Sequence, residues 1–218
     1  MNLLDRVVVV ARDSPLSRAQ VDEVYQEIKV HHPRIVFDPI WIKTTGDLDL
    51  TTSLLEKEKT DFFTKEVDEY LLSYKADIAI HSAKDLPENL PEGVSLICYT
   101  KGVDSSDVLV FREEDALSTL PLYAKVGTSS FRRIENLRAL RSDLVPIDIR
   151  GTIGMRLDLL DQKKVDALII AKAALIRLRL RRKTQELPGP SAPLQGKLAI
   201  VARTDNRKMS DIFSCLSE

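Results

Sequence analysis

Short apolar runs alternate along the chain with longer amphipathic stretches, and the first pair sets the pattern. Residues 7–10 are four consecutive valines and read as a buried strand. They lead into Arg12-Asp13-Ser14-Pro15, where Ser14 can cap a helix and Pro15 can take its first position. The helix face that follows is Val21, Val24, Tyr25 and Ile28, and His31-His32-Pro33 ends it. Adjacent histidines at a helix end diverge, so no metal site is read from them. A second strand is expected over residues 39–43, with Trp41 in the core or on the strand face. Thr44-Thr45-Gly46-Asp47 then opens a polar segment to Lys59 without apolar period, which reads as a mobile loop or lid. From Thr64 a second helix is expected, with Val67, Tyr70, Leu71 and Tyr74 on one face. It delivers the chain to residues 78–81, a short buried strand. A polar turn carrying His81, Ser82, Lys84 and Asp85 follows, kept from becoming a helix by Pro87 and Pro91. Residues 94–99 read as another strand, and residues 101–107 as a crossing between units.

The second half repeats this grammar. Residues 125–133 repeat the strand, loop and helix start of residues 7–18, and residues 159–170 repeat the helix-then-strand of residues 71–80. Two α/β units of like design are the economical reading: residues 1–98 plus 194–218, and residues 99–193. Residues 187–193, with three prolines and a glycine, read as a hinge, and residues 198–202 as a strand returning to the first unit. The basic run over residues 177–183 reads as a solvated helix end.

Composition narrows the chemistry. With 218 residues, 44% of them hydrophobic, the chain can bury a core without staples. Its 32 basic and 33 acidic residues give a net charge of −1, so no global field argues for nucleic acid or an anionic membrane. Anion binding must therefore be local. Cys98 and Cys215 form no CxxC pair, and with only three histidines neither a disulfide framework nor a metal site is expected. The valine run, preceded by Asp5 and Arg6, is too short for a signal peptide or membrane span, so a cytoplasmic location is expected.

Two segments look built for anions: residues 127–133, Gly-Thr-Ser-Ser-Phe-Arg-Arg, and residues 150–156, Arg-Gly-Thr-Ile-Gly-Met-Arg. In each, small residues enter a helix where backbone N–H groups and hydroxyls are free, and arginines add bidentate carboxylate contacts. Neither has the spacing of a P-loop or of a dinucleotide-binding turn, so a polycarboxylate is expected more than a nucleotide. Arg12 and Ser14 occupy the equivalent loop of the first unit, and ligand binding in a cleft between the units is the expected arrangement.

Taken in order, Arg12-Asp-Ser-Pro-Leu16, Thr45-Gly-Asp47, Phe63-Thr-Lys-Glu66, residues 76–87 (ADIAIHSAKDLP), residues 127–133, residues 150–156 and Gln195-Gly196 resemble the motifs of porphobilinogen deaminases, also called hydroxymethylbilane synthases. The resemblance covers nearly the whole chain. It implies two periplasmic-binding-protein-like (type II) α/β domains with a ligand cleft. It also implies a transferase of tetrapyrrole and haem biosynthesis that deaminates four porphobilinogens and joins them into hydroxymethylbilane. Growth in the family starts on a dipyrromethane cofactor held by a cysteine.

Each pyrrole carries an acetate and a propionate. The resemblance assigns these to Arg12, Arg132, Arg133, Arg150 and Arg156, with Ser14, Gln20, Thr128, Ser129 and Ser130 completing the contacts. Asp85 matches the catalytic aspartate, which stabilises the cationic azafulvene left by ammonia loss. Lys84 would hold a carboxylate or assist proton transfer, and Lys65 matches the lysine after the lid. The expected partner is a small molecule bound by a monomer, with no nucleic acid, membrane or metal.

The resemblance is broken in three places. Family members continue into a small α+β domain that carries the cofactor cysteine, whereas this sequence stops at Glu218, so that domain is expected to be absent. Cys215 lies 12 residues after Arg203, closer than the family cysteine, and is a candidate attachment site by elimination only. Lys59-Thr-Asp-Phe-Phe63 lacks the usual glycine, and residues 191–196 depart from the usual segment before Gly196. A non-catalytic clamp for tetrapyrroles or other polycarboxylates is the competing expectation.

Overall fold

The computed structural model describes residues 5–53 and 61–217. In chain order the elements are β1 (Asp5–Arg12), α1 (Pro15–His31), β2 (Ile35–Ile42), α2 (Thr45–Leu48), α3 (Lys65–Leu72), β3 (Ile78–Ser82), β4 (Val94–Tyr99) and β5 (Asp107–Phe111). They continue with β6 (Lys125–Gly127), α4 (Phe131–Leu140), β7 (Val145–Ile147), α5 (Ile153–Asp161), β8 (Ala167–Ala171), α6 (Lys172–Arg177), β9 (Lys183–Glu186), β10 (Leu198–Arg203) and α7 (Arg207–Phe213). Two compact units result: residues 5–49, 61–102 and 197–217 in the first, residues 50–53 and 103–196 in the second.

The first unit is built on a sheet ordered β2-β1-β3-β10-β4, parallel except for β10, which runs antiparallel to both neighbours. Its two faces are covered by different helices. Val7, Val9 and Ala11 of β1 pack with Val21, Val24 and Ile28 of α1, while Val10 packs with Val67 and Leu71 of α3. A strand buried on both faces has no need of polar alternation, which is why β1 can be a run of valines. Val24, Ile28 and Leu71 are fully buried, and each stabilises the unit by about 1.5–3 kcal/mol. Ser14 caps α1 as its sequence suggests, its Oγ accepting from Ser17 N at 3.1 Å, with Pro15 in the first turn.

Several boundaries move. β2 begins at Ile35 because it pairs in parallel with the whole of β1, Asp5 opposite Ile35 and Arg12 opposite Ile42. Pro39 is tolerated there because β2 is the sheet edge. Trp41 is half-buried, with the Arg18 guanidinium 4.4 Å above its ring. The polar segment after Thr44 starts as a helical turn, α2: Thr44 donates to Asp47 Oδ2 from its amide at 3.0 Å and from its hydroxyl at 2.9 Å. Residues 54–60, on which the rest of the lid expectation falls, lie outside the described residues. Tyr74 is not on the face of α3, which ends at Leu72. The helix closes in a Schellman turn: Lys75 N donates to Tyr70 O, Tyr74 N donates to Leu71 O, and Tyr74 stands in the left-handed region at φ 59°.

The second sheet is ordered β7-β6-β8-β5-β9, again with one antiparallel strand, β5, in fourth place. β6 stands where β1 does, β8 where β3 does, and β5 where β10 does. The repeat in the sequence is thus a repeat in topology, each unit taking its antiparallel strand from across a chain crossing. The run over residues 177–183 is not a helix end throughout, since α6 stops at Arg177 and Lys183 opens the edge strand β9. Residues 187–193 are anchored to their own unit: Leu187 is buried in its core, and the Pro190 carbonyl accepts from Arg132 Nη1 at 2.6 Å and Asn136 Nδ2 at 3.0 Å. Among the described residues no helix is long and apolar enough to cross a membrane.

Gly196 is the glycine the second unit depends on most visibly. It has φ +87°, and an added Cβ would overlap the Asp104 carbonyl oxygen, which is backbone and cannot swing away. Gly196→Ala is expected to cost about 1–3 kcal/mol in chemical denaturation. A midpoint equal to the parent's would contradict this packing.

Candidate functional site

β1 and β3 are parallel neighbours, so the turns that follow them open on the same sheet edge. A pocket forms there, lined by Arg12, Ser14, Ser17 and Gln20 on one side, by His81, Ser82 and Asp85 on another, and by Phe63 and Thr64 ahead of α3. Strand alternation divides the end of β3 between two helices. Ser82 turns to α1, where its Oγ accepts from Nε2 of the buried Gln20 at 2.8 Å. His81 turns to α3, where its Nε2 lies 3.5 Å from Asp68 Oδ1. Asp85 ends the single 3-10 turn Ala83–Asp85. Backbone bonds fix that turn, Ala83 N to Lys197 O at 3.1 Å and Leu86 N to Ala83 O at 3.3 Å.

Arg12 is held in place rather than loose. Its guanidinium pairs with Asp47, Nε donating to Oδ2 at 3.3 Å, and stacks 4.3 Å over the Phe63 ring. Burial by itself raises the Asp47 carboxyl, but the Arg12 charge and the hydrogen bonds from Arg12 and Thr44 outweigh it and hold the group below its ordinary value. Gly46 has to be glycine here because a Cβ would overlap the Phe63 ring. Lys84 sits half-buried beside Asp85, and Lys65 is exposed at the start of α3; neither lines the pocket.

In the second unit, β6 and β7 also run parallel, and the loops after them meet. Ser129 Oγ joins the loops by donating to Ile149 O and accepting from Ile149 N at 3.1 Å. Thr128 is fully buried, Ser130 stands at the N-cap position of α4 without a side-chain bond to it, and Thr152 caps α5, accepting from Met155 N at 3.3 Å. Arg150 Nη1 donates to Thr52 O at 3.2 Å, and Arg156 Nε donates to Gly151 O at 3.0 Å. The candidates Thr128, Ser129, Ser130, Arg132, Arg150 and Arg156 therefore gather at one end of this sheet.

Arg133 differs from its neighbours. It is 8% exposed, with Nε and Nη2 on Asp107 Oδ1 at 3.1 and 2.6 Å and Nη1 on Ile169 O at 3.3 Å. All three of its nitrogens are engaged inside the unit. Arg132 Nη2 meets the other oxygen of Asp107 at 2.7 Å, and Gln195 Nε2 donates to Oδ1 at 3.0 Å. Burial pushes the Asp107 carboxyl up, but the Arg133 charge and the bonds from Arg133, Arg132 and Gln195 prevail and hold it below its ordinary value. Sequence reasoning missed Asp107 and Asp68. The only signals were a carboxylate directly before an apolar run and one inside the Val67–Leu71 stripe.

Cys98 is buried, and desolvation pushes its thiol up to about 11. Cys215 is exposed on the last turn, Ser214–Leu216, where its Sγ donates to Ile212 O at 3.2 Å and residual desolvation raises its thiol also. It does not line the pocket. Among the described residues no group of three or more metal-ligating side chains comes together.

Comparison with known proteins bears on the family and the fold. A family model described as porphobilinogen deaminase, dipyromethane cofactor binding domain, matches residues 7–211. A probable porphobilinogen deaminase of Chlamydia trachomatis is 42% identical over 204 residues, 93% of this chain and 84% of that protein. The porphobilinogen deaminase of Chlorobium limicola is 33% identical over 216 residues, 97% of this chain and 69% of that protein. Among solved structures, the reduced regulatory domain of OxyR2 from Vibrio vulnificus superposes with a TM-score of 0.56 at 11% identity, covering 99% of this chain and 98% of that one. The BvgS VFT2 domain of Bordetella pertussis gives 0.52 at 15% identity, covering 96% and 84%. These two likenesses bear on fold alone: two α/β units of the type II periplasmic-binding-protein kind. With the family model covering almost the whole chain and relatives above 30% identity over most of their length, the chain belongs to the porphobilinogen deaminase family.

Proposed function

We propose that the chain condenses four porphobilinogens into hydroxymethylbilane, with Asp85 acting at the end of β3. The observation that carries this reading is the pocket itself, in which one carboxylate, Asp85, faces a set of carboxylate partners: Arg12, the hydroxyls of Ser14, Ser17 and Ser82, and the Gln20 amide. Porphobilinogen needs both kinds of group. Its acetate and propionate require cations and N–H or O–H donors, and its ring becomes cationic as ammonia leaves. Asp85 stabilises that charge as it forms, through Coulomb attraction and a hydrogen bond from the pyrrole N–H. Lys84, next to it, steadies a carboxylate or carries a proton, and Lys65 meets a carboxylate near the pocket entrance.

The donor set also suits a dipyrromethane, which carries the same side chains. Arg12, Ser14, Gln20 and Ser82 would hold it; when bound, it supplies the free pyrrole carbon from which growth begins. Ser129, Ser130, Arg132, Arg150 and Arg156 are proposed to take carboxylates of the lengthening product, with the buried Thr128 positioning that loop by accepting from Ser130 N at 3.4 Å. Arg133 contributes through Asp107, which fixes Arg132 beside it. The enzyme is proposed to be a cytoplasmic monomer working on small molecules alone. Two free thiols suit a reducing compartment, and balanced charge suits neither nucleic acid nor an anionic membrane.

Arg12→Ala tests the binding half of this reading. Losing a charge-assisted contact to a carboxylate, at about 1.5–3 kcal/mol, is expected to raise KM for porphobilinogen roughly tenfold or more. A KM equal to the parent's would refute the assignment. The thiol geometry bears on attachment, because Cys215 lies outside the pocket and is poorly ionised. Denatured protein purified from porphobilinogen-producing cells is therefore expected to show no dipyrrole-sized mass on Cys215. An adduct present in the parent and lost in Cys215→Ala would overturn this and make Cys215 the anchor.

A further inference from the structure

Asp68 and His81 are 1% and 5% exposed, and no hydrogen bond reaches either carboxylate oxygen of Asp68 or Nε2 of His81. The hydroxyl of Thr64, one turn before Asp68 at the head of α3, is also buried and unpaired. A buried polar group without a partner costs about 1–3 kcal/mol. Keeping Asp68 and His81 3.5 Å apart in that condition therefore works against stability and points to use. His81 and Thr64 line the same pocket as Asp85. With Nε2 turned to Asp68, Nδ1 is the ring nitrogen left for the pocket. The other charged groups lining this pocket are Asp85 from the turn after β3 and Arg12 from β1, the latter held by Asp47 of α2; β10 sets Ala199 opposite His81.

The inference rests on the proposed condensation. In each coupling the methylene carbon that has lost ammonia bonds to the free α-carbon of the accepting ring, and the C–H bond at that α-carbon breaks. The C–H electron pair restores the aromatic ring, and the proton needs a base. Asp85 serves poorly, because it must stay anionic to stabilise the cation. We propose that His81 Nδ1 takes this proton, that Asp68 stabilises the resulting imidazolium as a positioning residue, and that the departing ammonia then carries the proton away as ammonium. A carboxylate behind an imidazole is a known way to orient the ring and stabilise its charged form.

Two measurements test this together. In His81→Gln, kcat for ammonia release is expected to fall about 100-fold while KM changes less than about threefold, as for loss of a general base. Asp68→Asn should lower kcat by a smaller factor with the same KM. Independently of turnover, the chain has only three histidines, so the His81 ring signals in a carbon-13-labelled protein are the ones that vanish in His81→Gln. They are expected to shift when porphobilinogen is added to the parent, and to shift differently in Asp68→Asn. The proposal is overturned if His81→Gln keeps parental kcat, or if porphobilinogen stabilises the parent thermally while the His81 signals stay in place. A parent that neither binds nor deaminates porphobilinogen sinks the proposed function first, and this inference with it. Should His81→Gln fail to fold, a His31→Gln/His32→Gln double variant leaves His81 as the one histidine, and its signals with and without porphobilinogen give the spectroscopic answer.

Discussion

Asp85→Asn and Asp85→Ala are expected to lower the rate of ammonia release from porphobilinogen by about 10²–10³-fold, the usual scale for removing one preorganised charge from a site where charge develops. The effect should fall on kcat more than on KM, because the positive charge appears only as the C–N bond breaks. Folding should survive. Asp85 is half-buried, belongs to neither core cluster of the first unit, and sits on a turn fixed by the backbone amides of Ala83 and Leu86. Asp85→Glu separates charge from position: the carboxylate stays but moves by one methylene, so intermediate activity is expected. Parental turnover in Asp85→Ala would remove this residue from the chemistry.

The second large effect concerns stability. Asp107→Asn leaves Arg133 buried without its counter-charge, and breaking a buried pair from one side typically costs about 3–5 kcal/mol. For a chain of this size that amounts to a fall in Tm on the order of 10 °C. The pH dependence has a definite sign. The Asp107 carboxyl is held below its ordinary value of 3.8 in the folded state, so its contribution is complete above that value and is lost as pH falls through the depressed one. The parent should therefore lose stability towards acid more steeply than Asp107→Asn, and the two melting curves should converge at low pH. Equal Tm values at neutral pH would show that Arg133 does not depend on Asp107.

Much of the architecture was legible because the inner strands are buried on both faces. Apolar runs such as residues 7–10 and 198–202 then stand out against the amphipathic helices between them. Ser14 and Pro15 marked the start of α1, and the internal repeat foretold the matching strand orders. What escaped notice depended on partners distant in sequence. β7 is three residues long, β9 is polar and exposed, and each exists by pairing with a neighbour. β2 starts early because β1 provides a parallel partner along its full length.

The same holds at the site. Arg12, Ser14, Gln20 and Asp85 could be singled out as residues, and the fold brings all four to one pocket. Nothing local distinguishes Arg133 from Arg132, and both meet Asp107, 26 and 25 positions earlier; what separates them is their second partner, the Ile169 carbonyl in β8 for Arg133 and the Pro190 carbonyl for Arg132. Nor does anything near Val67 announce that Asp68 will lie against His81, since that contact requires α3 to pack over the end of β3.

The condensation itself can be read directly. Purified protein should be incubated with porphobilinogen while ammonia and hydroxymethylbilane are measured in the same sample, alongside Asp85→Ala. Four ammonia molecules per hydroxymethylbilane are expected from the parent and almost none from the variant. Porphobilinogen binding, seen as thermal stabilisation, without ammonia release from the parent would contradict the condensation and leave a pyrrole-binding clamp.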